Sequence, residues 1–151
     1  MNRDSVLLGW LKQLPVDRKW HWLDLGAGSG ELSQQIQKLW RNSTFVALDV
    51  KPQGGHIQRF DGKHIPAPDH SFDFVVINYV LQHAGANAEM LILEAARVTR
   101  SAILIQDETD VLSITHWVEM FKTLLPSCSI ICTPYADQPC AFFVLSPQSV
   151  S

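Results

Sequence analysis

Long hydrophobic runs and a basic excess are both absent from the sequence. No stretch of about 18 consecutive apolar residues occurs, so we expect no membrane-spanning helix. The N-terminal stretch MNRDSVLLGWLKQL is interrupted by Lys12 and lacks a small-residue cleavage site, so it does not read as a signal peptide. Lysine and arginine number 12 against 15 acidic residues, a net charge of −3, which argues against a general nucleic-acid-binding protein.

Cysteine is also scarce. The three cysteines, Cys128, Cys132 and Cys140, are odd in number and lie late in the chain. Such a set fits reduced thiols in the cytoplasm better than a disulfide framework. Cys128 and Cys132 with a histidine are an alternative as metal ligands, but small buried side chains on a strand explain them better. We therefore predict a cytoplasmic protein without a metal site.

No internal repeat, low-complexity tract or linker divides the chain. Its 151 residues fit one domain with a single core. Apolar residues recur at helical spacing from Leu7 to Leu14, after Asp4 as a preferred N-cap residue and before Pro15. We predict that the chain opens with this short helix.

Beyond Trp20, strand-like apolar segments alternate with amphipathic helical segments. The predicted helices begin at Glu31, Ala88 and Ile114, and the predicted strands are WHWLDL, TFVALDV, HIQRF, FDFVVIN, SAILIQD, CSIICT and CAFFVLS. This alternation predicts an α/β fold with right-handed βαβ units. About six residues separate the last two strands, too few for a parallel crossover, so that pair is predicted to be antiparallel. We expect a three-layer αβα sandwich around a seven-stranded, mostly parallel sheet with an antiparallel C-terminal hairpin.

Glycine is concentrated in the turn after the first predicted strand. In LGAGSGEL it occupies three alternate positions, Gly26, Gly28 and Gly30. In a doubly wound sheet, ligands bind beyond the carboxyl ends of the strands, where this turn lies. Glycine permits positive φ and close approach to the backbone, and the following helix directs free N–H groups to the same place. The turn is therefore predicted to bind a ligand.

Carboxylates beside this turn separate two classes of ligand. A dinucleotide site reads G-x-G-x-x-G, but the last of those positions is Glu31 here, and its carboxylate would repel a pyrophosphate. Glu31 and Asp24 are compatible with a ligand that carries an ammonium or sulfonium group and no phosphate. S-adenosylmethionine has this charge pattern, whereas a nicotinamide dinucleotide is the disfavoured alternative.

The segment LDLGAGSG resembles the first motif of class I S-adenosylmethionine-dependent methyltransferases, an acidic residue followed by x-G-x-G-x-G. Asp49 at the end of the second predicted strand and the stretch FDGKHIPAPDHSFDFVVINYVLQH are similar to the next motifs of that family, in the right order. EAARV before an apolar strand resembles the small-molecule branch of the superfamily. The resemblance covers residues 20–106.

This resemblance implies that the chain binds S-adenosylmethionine. Asp49 would accept hydrogen bonds from both ribose hydroxyls, Asp61 would contact the adenine amino group, and the backbone of Gly62 would meet the ring edge. The implied parts of the domain are an N-terminal helix (1–19), a cofactor-binding half (20–106) and a C-terminal half (107–151), without a separate substrate lid. The cofactor-binding residues predicted in this way are Asp24, Gly26, Ala27, Gly28, Ser29, Gly30, Asp49, Val50, Phe60, Asp61, Gly62, Asn78 and Tyr79.

Candidate catalytic residues lie in NYVLQH, after the fourth predicted strand. Methyl transfer from a sulfonium needs an aligned nucleophile, and it needs a base only where the acceptor loses a proton. Asn78 is placed to face the transferred methyl group, Tyr79 to wall the acceptor pocket, and His83 to act as the base, since histidine titrates near neutrality. The alternative for His83 is a first-turn helix residue bonded to the backbone.

The sequence thus predicts a methyltransferase acting on a small-molecule acceptor. Because no lid is foreseen, a second protein chain is an alternative means of closing the site. A non-catalytic scaffold that keeps the fold is the second hypothesis, and a nicotinamide-dependent oxidoreductase is the third. The Lys-Asp-Lys-Glu set of enzymes that methylate RNA ribose is absent, which disfavours a nucleic-acid acceptor.

Overall fold

Strands and helices alternate along the chain as the periodicity predicts. A computed structural model describes residues 11–12, 19–78, 80–107, 114–133 and 140–145. The predicted N-terminal helix lies almost wholly outside these residues. The strands are β1 (His21–Leu25), β2 (Thr44–Asp49), β3 (Ile57–Arg59), β4 (Phe72–Asn78), β5 (Thr99–Asp107), β6 (Ser129–Thr133) and β7 (Cys140–Leu145). The helices are α1 (Glu31–Leu39), α2 (Leu81–Ala84), α3 (Ala88–Val98) and α4 (Ile114–Leu124), with a 3₁₀ turn at Gly85–Asn87.

The strands form one sheet in the order β3-β2-β1-β4-β5-β7-β6. The predicted α/β fold with a mainly parallel sheet is confirmed. Strands β1 to β5 form the parallel part, which therefore has five strands, and β7 pairs antiparallel with both β5 and β6. Leu25 lies opposite Leu48 on β2 and Ile77 on β4. The carboxyl ends of β1, β2 and β4 consequently meet at one edge of the sheet.

Both faces of the central strands are buried, as expected for parallel strands that carry helices on each side. On one face Trp22 packs with Leu32 and Ile36 of α1 in one apolar cluster. On the other face Leu23 belongs to a second cluster, which includes Leu91 of α3 and the buried side chains of α4. Because successive side chains of a strand point to opposite faces, one short strand contributes to both clusters.

Two connections of the sheet contain no helix. Residues 50–56 link β2 to β3, and residues 60–71 link β3 to β4, through bends and turns alone. The second link is held by Arg97, whose guanidinium donates hydrogen bonds to the carbonyl oxygens of Ile65 and Ala67, each at 2.9 Å. Arg97 also pairs with Asp69, and hydrogen bonding to carboxylates raises its pKa. The helical layers therefore stop short of the β3 edge.

Candidate functional site

The glycine turn opens onto a cavity of about 600 Å³ at the carboxyl ends of β1, β2 and β4. The structure brings most of the predicted site residues together here. Two of the described ones, Gly30 and Asp61, are not in the lining, and Tyr79 lies outside the described residues. The described residues that line the cavity are Asp24, Gly26, Ala27, Gly28, Ser29, Glu31, Leu32, Asp49, Val50, Phe60, Gly62, Asn78, Val80, His83, Ala84, Asn87 and Leu91.

Backbone hydrogen bonds hold the glycine turn against the end of β2. The N–H groups of Gly26 and Ala27 both donate to the carbonyl oxygen of Leu48, at 2.7 and 3.0 Å. The N–H of Gly28 donates to Oδ2 of Asp49 at 2.8 Å. Gly30 is the N-cap of α1 and accepts a hydrogen bond from the N–H of Gln34, so it shapes the turn and does not line the cavity.

Two glycines are required for different physical reasons. Gly26 has φ +78°, and a Cβ there would lie 2.3 Å from Cγ2 of Val80, closer than any real contact. Gly28 has φ +61°, but a Cβ there would meet no atom within 4 Å. Gly26 is thus needed for packing within the protein. Gly28 presents bare backbone to open space, as a ligand that approaches closely would require.

Two carboxylates beside the turn are held differently. Asp24, at the end of β1, is only 1% exposed and accepts a hydrogen bond from the hydroxyl of Ser33 on α1. Asp49 is half-buried at the end of β2, and its oxygens accept hydrogen bonds from the N–H groups of Gly28 (2.8 Å) and Lys51 (3.0 Å). The same carboxylate therefore orders the glycine turn and faces the cavity.

The charge of the cavity wall has one predominant sign. Asp24, Glu31 and Asp49 contribute carboxylates, and His83 is the one residue in the described lining that can become cationic. No lysine or arginine is among those lining residues. Such a wall favours a positively charged ligand and disfavours a phosphate by simple electrostatic complementarity.

Asp61 is placed differently from the prediction. It sits on an exposed loop, where its Oδ1 accepts hydrogen bonds from the N–H groups of Lys63 and His64, both at 2.8 Å. Its Oδ2 lies 2.9 Å from Nδ1 of His64. The hydrogen bond to the His64 ring is the largest cause holding the pKa of Asp61 well below its ordinary value. The neighbouring Gly62 lines the cavity, whereas the Asp61 side chain is engaged by this local turn, and its contact with adenine stays a prediction.

The end of β4 supplies the residues predicted to act on the acceptor. Asn78 is the last residue of that strand and lines the cavity, and His83 lies on α2 with its side chain exposed at the same cavity. The backbone N–H of His83 donates to the carbonyl oxygen of Val80 at 3.0 Å. The structure brings His83 and Asn78 to one cavity, and their catalytic roles stay predictions.

Sequence reasoning missed several apolar and amide residues of the lining. Leu32 is in the first turn of α1, Val80 precedes α2 and Ala84 ends it. Asn87 and Leu91 belong to the 3₁₀ turn and α3. Leu91 carries a helical-periodicity signal, but that signal indicates core packing and does not indicate a ligand. The short helix α2 has no apolar repeat of its own, so no pattern placed these residues at the cavity.

Other types of site are not seen in the described part of the chain. No cluster of three or more metal-ligating side chains occurs there. Cys128 is a free thiol whose pKa is raised by burial, and the side chains of Cys132 and Cys140 lie outside the description. None of the helices described has the length and apolar character needed to cross a bilayer.

Comparison with known proteins agrees with this geometry. A family model for the methyltransferase domain matches residues 23–104, more than half of the chain. No curated protein matches the chain significantly.

Several solved structures are similar in fold. A SAM-dependent methyltransferase from Aquifex aeolicus is 14% identical, with a TM-score of 0.75 over 95% of this chain and 89% of that chain. A putative methyltransferase from Bacillus halodurans C-125 is 12% identical, with a TM-score of 0.73 over 97% and 100% of the two chains. A chain in the complex of the Haloferax volcanii Trm112 methyltransferase activator with a putative methyltransferase is 16% identical, with a TM-score of 0.73 over 96% and 90%. At such identities the likeness shows the fold alone.

Proposed function

Because the chain belongs to the methyltransferase domain family, we propose that it transfers a methyl group from S-adenosylmethionine to a small-molecule acceptor. One observation carries this proposal. The described wall of the cavity holds the carboxylates of Asp24, Glu31 and Asp49 and neither lysine nor arginine. A ligand with an ammonium and a sulfonium group gains from that wall, whereas the pyrophosphate of a nicotinamide dinucleotide is repelled.

The residues present fit S-adenosylmethionine. Gly28 leaves open space where a side chain would stand, so the ligand can lie directly on the turn. Each oxygen of Asp49 accepts one backbone hydrogen bond and keeps further lone-pair capacity, so the carboxylate can also accept hydrogen bonds from the two ribose hydroxyls. Asp49 would then join the ribose to the glycine turn.

The two ends of the ligand are assigned to opposite walls of the cavity. Asp24, held by Ser33, would face the ammonium group of the methionine portion. Val50 and Phe60 would enclose the adenine, with the backbone of Gly62 at the ring edge. Asp61 would contact the adenine amino group only by exchanging its hydrogen bond with the His64 ring.

When bound, S-adenosylmethionine supplies a methyl group that is activated by its bond to a sulfonium sulfur, and the leaving group is a neutral thioether. The protein then has to align the acceptor and keep water out. We assign Asn78 to the space next to the transferred methyl group. An imidazole nitrogen of His83 would take the proton of an acceptor that loses one, and Tyr79 would wall the acceptor pocket. A second protein chain is proposed as a means of closing the site, because the sequence predicts no separate substrate lid.

Calorimetric titration of the purified chain tests the cofactor assignment. We expect S-adenosylhomocysteine to bind and NAD⁺ to show no heat of binding. Binding of NAD⁺ alone would contradict the proposal in favour of an oxidoreductase. Absence of binding by either would indicate a scaffold that has kept the fold.

A screen of acceptors with S-adenosylmethionine labelled in its methyl group tests the enzymatic part. Transfer of label to a small molecule supports the proposal, whereas transfer only to RNA or protein would contradict the acceptor class. Glu119→Ala removes an exposed carboxylate on α4, remote from the cavity, and serves as the matched control for carboxylate variants of the site. We also propose a cytoplasmic location, to which the free thiol of Cys128 conforms.

A further inference from the structure

A second concave surface, of about 480 Å³, borders α1 and shares no described lining residue with the candidate site, although its His56 packs against Gly30 of the glycine turn. Its described lining consists of Gln34, Gln37, Lys38, Arg41, Phe45 and His56, and we name this surface the basic groove. Parallel strands are usually joined by a crossover of a dozen or more residues that places a helix on the sheet. Residues 50–56, which join β2 to β3, contain no helix. The groove is therefore a part of the sheet face that lacks its usual cover.

Two cationic side chains, Lys38 and Arg41, and the imidazole of His56 surround the groove. Lys38, Arg41 and His56 are exposed, and none of them forms an ion pair with another described residue. In contrast, Arg97 and Arg100 of the β4–β5 region are both paired with carboxylates. No carboxylate is in the described lining of the groove. Positive charge is thus concentrated here without a counter-charge from the described residues.

The helix dipole does not by itself explain this concentration of positive charge. A cation such as Lys38 is favoured in the last turn of a helix. Arg41, however, lies beyond the end of α1, and His56 comes from the link between β2 and β3. The amide of Gln37 donates hydrogen bonds to the carbonyl oxygens of Arg41 (3.3 Å) and Ser43 (2.9 Å), which fixes the chain that carries Arg41. The groove is therefore assembled from separate elements.

The floor of the groove is aromatic. Phe45 is half-buried and its ring lies 5.2 Å from that of Trp22 in the core below. His56 meets Phe45 edge-on, with ring centroids 6.1 Å apart and an interplanar angle of 90°. The amide groups of Gln34 and Gln37 add hydrogen-bonding capacity at the side. An apolar floor inside a cationic rim suits an extended or helical segment that carries one apolar side chain between carboxylates.

We propose that the basic groove binds an acidic segment of a partner protein, with an apolar side chain on Phe45 and carboxylates at Lys38, Arg41 and His56. We choose an acidic segment because its carboxylates are complementary in charge to the lysine and arginine of the rim. Nucleic acid is the competing polyanion, and direct comparison with an oligonucleotide distinguishes the two occupants. The proposal concerns a surface outside the candidate site, so it stands or falls independently of methyl transfer.

Selection from a library of random displayed peptides tests the proposal on the full chain. Lys38→Glu/Arg41→Glu reverses two exposed charges of the rim, and Lys63→Glu/Lys122→Glu makes the same change at exposed positions outside the described lining of the groove. We expect the wild-type chain to select acidic peptides with an aromatic or aliphatic residue between the carboxylates. In fluorescence anisotropy, the selected peptide should bind the groove variant at least about tenfold more weakly, and the control variant unchanged. Added salt should weaken its binding to the wild-type chain.

Several outcomes would overturn the proposal. One is a selection without acidic enrichment, and another is equal binding by the wild-type chain and the groove variant when both have the same melting temperature. Tighter binding of oligo(dT) than of the selected peptide, lost in the groove variant, would assign the groove to nucleic acid. A wild-type dimer that becomes a monomer in the groove variant, in sedimentation velocity, would assign it to a second copy of the chain.

Discussion

The two ends of α1 border concave surfaces of opposite charge. At its N-terminal end, Glu31 joins Asp24 and Asp49 around the glycine turn, without lysine or arginine in the described lining. Near its C-terminal end the helix contributes Lys38 to the basic groove, Arg41 follows just beyond the helix, and no carboxylate is in the described lining. One short helix thus separates a surface suited to a cationic ligand from a surface suited to an anionic one.

This comparison shows how the same element acts differently at its two ends. At the acidic end, carboxylates are held by hydrogen bonds from Ser33, Gly28 and Lys51, so their positions are set before a ligand arrives. At the basic end, no described residue forms an ion pair with the cations, and they remain exposed. Preorganised groups suit a small ligand with fixed geometry, whereas exposed flexible charges suit a macromolecular surface.

The largest effect is expected from Gly26→Ala, which disturbs the acidic end alone. Positive φ together with the 2.3 Å approach to Val80 should lower the free energy of unfolding by about 3 kcal/mol in urea titration. Gly28→Ala is the matched control, since its φ is also positive but no atom is near, and it should cost about 1 kcal/mol. Adding Val80→Ala to Gly26→Ala should recover the steric part. Equal losses for both alanine variants would contradict the packing role of Gly26.

Asp49→Ala should weaken cofactor binding at the acidic end of α1. The variant loses hydrogen bonds to the ribose as well as the anchor of Gly28, so we expect affinity for S-adenosylhomocysteine to fall by about 3 kcal/mol, roughly a hundredfold in Kd. Calorimetry measures this, with Glu119→Ala as the control that should bind normally. Unchanged affinity in Asp49→Ala would show that the ribose lies elsewhere.

A smaller effect is expected from Asp61, a carboxylate that is already engaged by His64. Its folded-state pKa is lowered, so the carboxylate contributes stability above the ordinary pKa of 3.8 and this contribution is lost as pH falls through the lower folded value. The wild-type chain should therefore be more stable than Asp61→Asn above pH 3.8, and the difference should shrink below it. Urea unfolding across this range measures the difference. A gap that widens toward acid would contradict the assignment.

The smallest effect is expected where a substitution at one surface is tested for binding at the other. Lys38→Glu/Arg41→Glu should leave the Kd for S-adenosylhomocysteine unchanged, because neither residue lines the candidate site. Asp49→Ala should in turn leave binding of a groove-selected peptide unchanged. A loss of cofactor affinity in the groove variant would mean that the two surfaces are coupled through α1.

Local patterns in the sequence predicted much of the fold. The segments FDFVVIN and AEMLILEAARV have the same bounds in the structure, as Phe72–Asn78 and Ala88–Val98, because strand and helix periodicities are clear in both. The four-residue helix α2 was not predicted, since a single turn has no periodicity to detect. The contact of Asp61 with adenine stays a prediction, and no pattern in the sequence indicated that a histidine three residues away engages the same carboxylate. Which group a loop side chain contacts depends on its local neighbours, and a family motif does not specify those neighbours.

The sequence by itself determined the glycine turn, the carboxylates at the strand ends and the order of helices and strands, because these depend on backbone preferences and on spacing within one segment. Only the tertiary structure decided that Asp24, Asp49 and Asn78 face one cavity, since this requires β2 and β4 to pair on either side of β1. The tertiary structure also decided that β7 lies between β5 and β6, and that Lys38, Phe45 and His56 form one groove. Contacts between residues far apart in the chain depend on which strands pair, and no local periodicity encodes that choice.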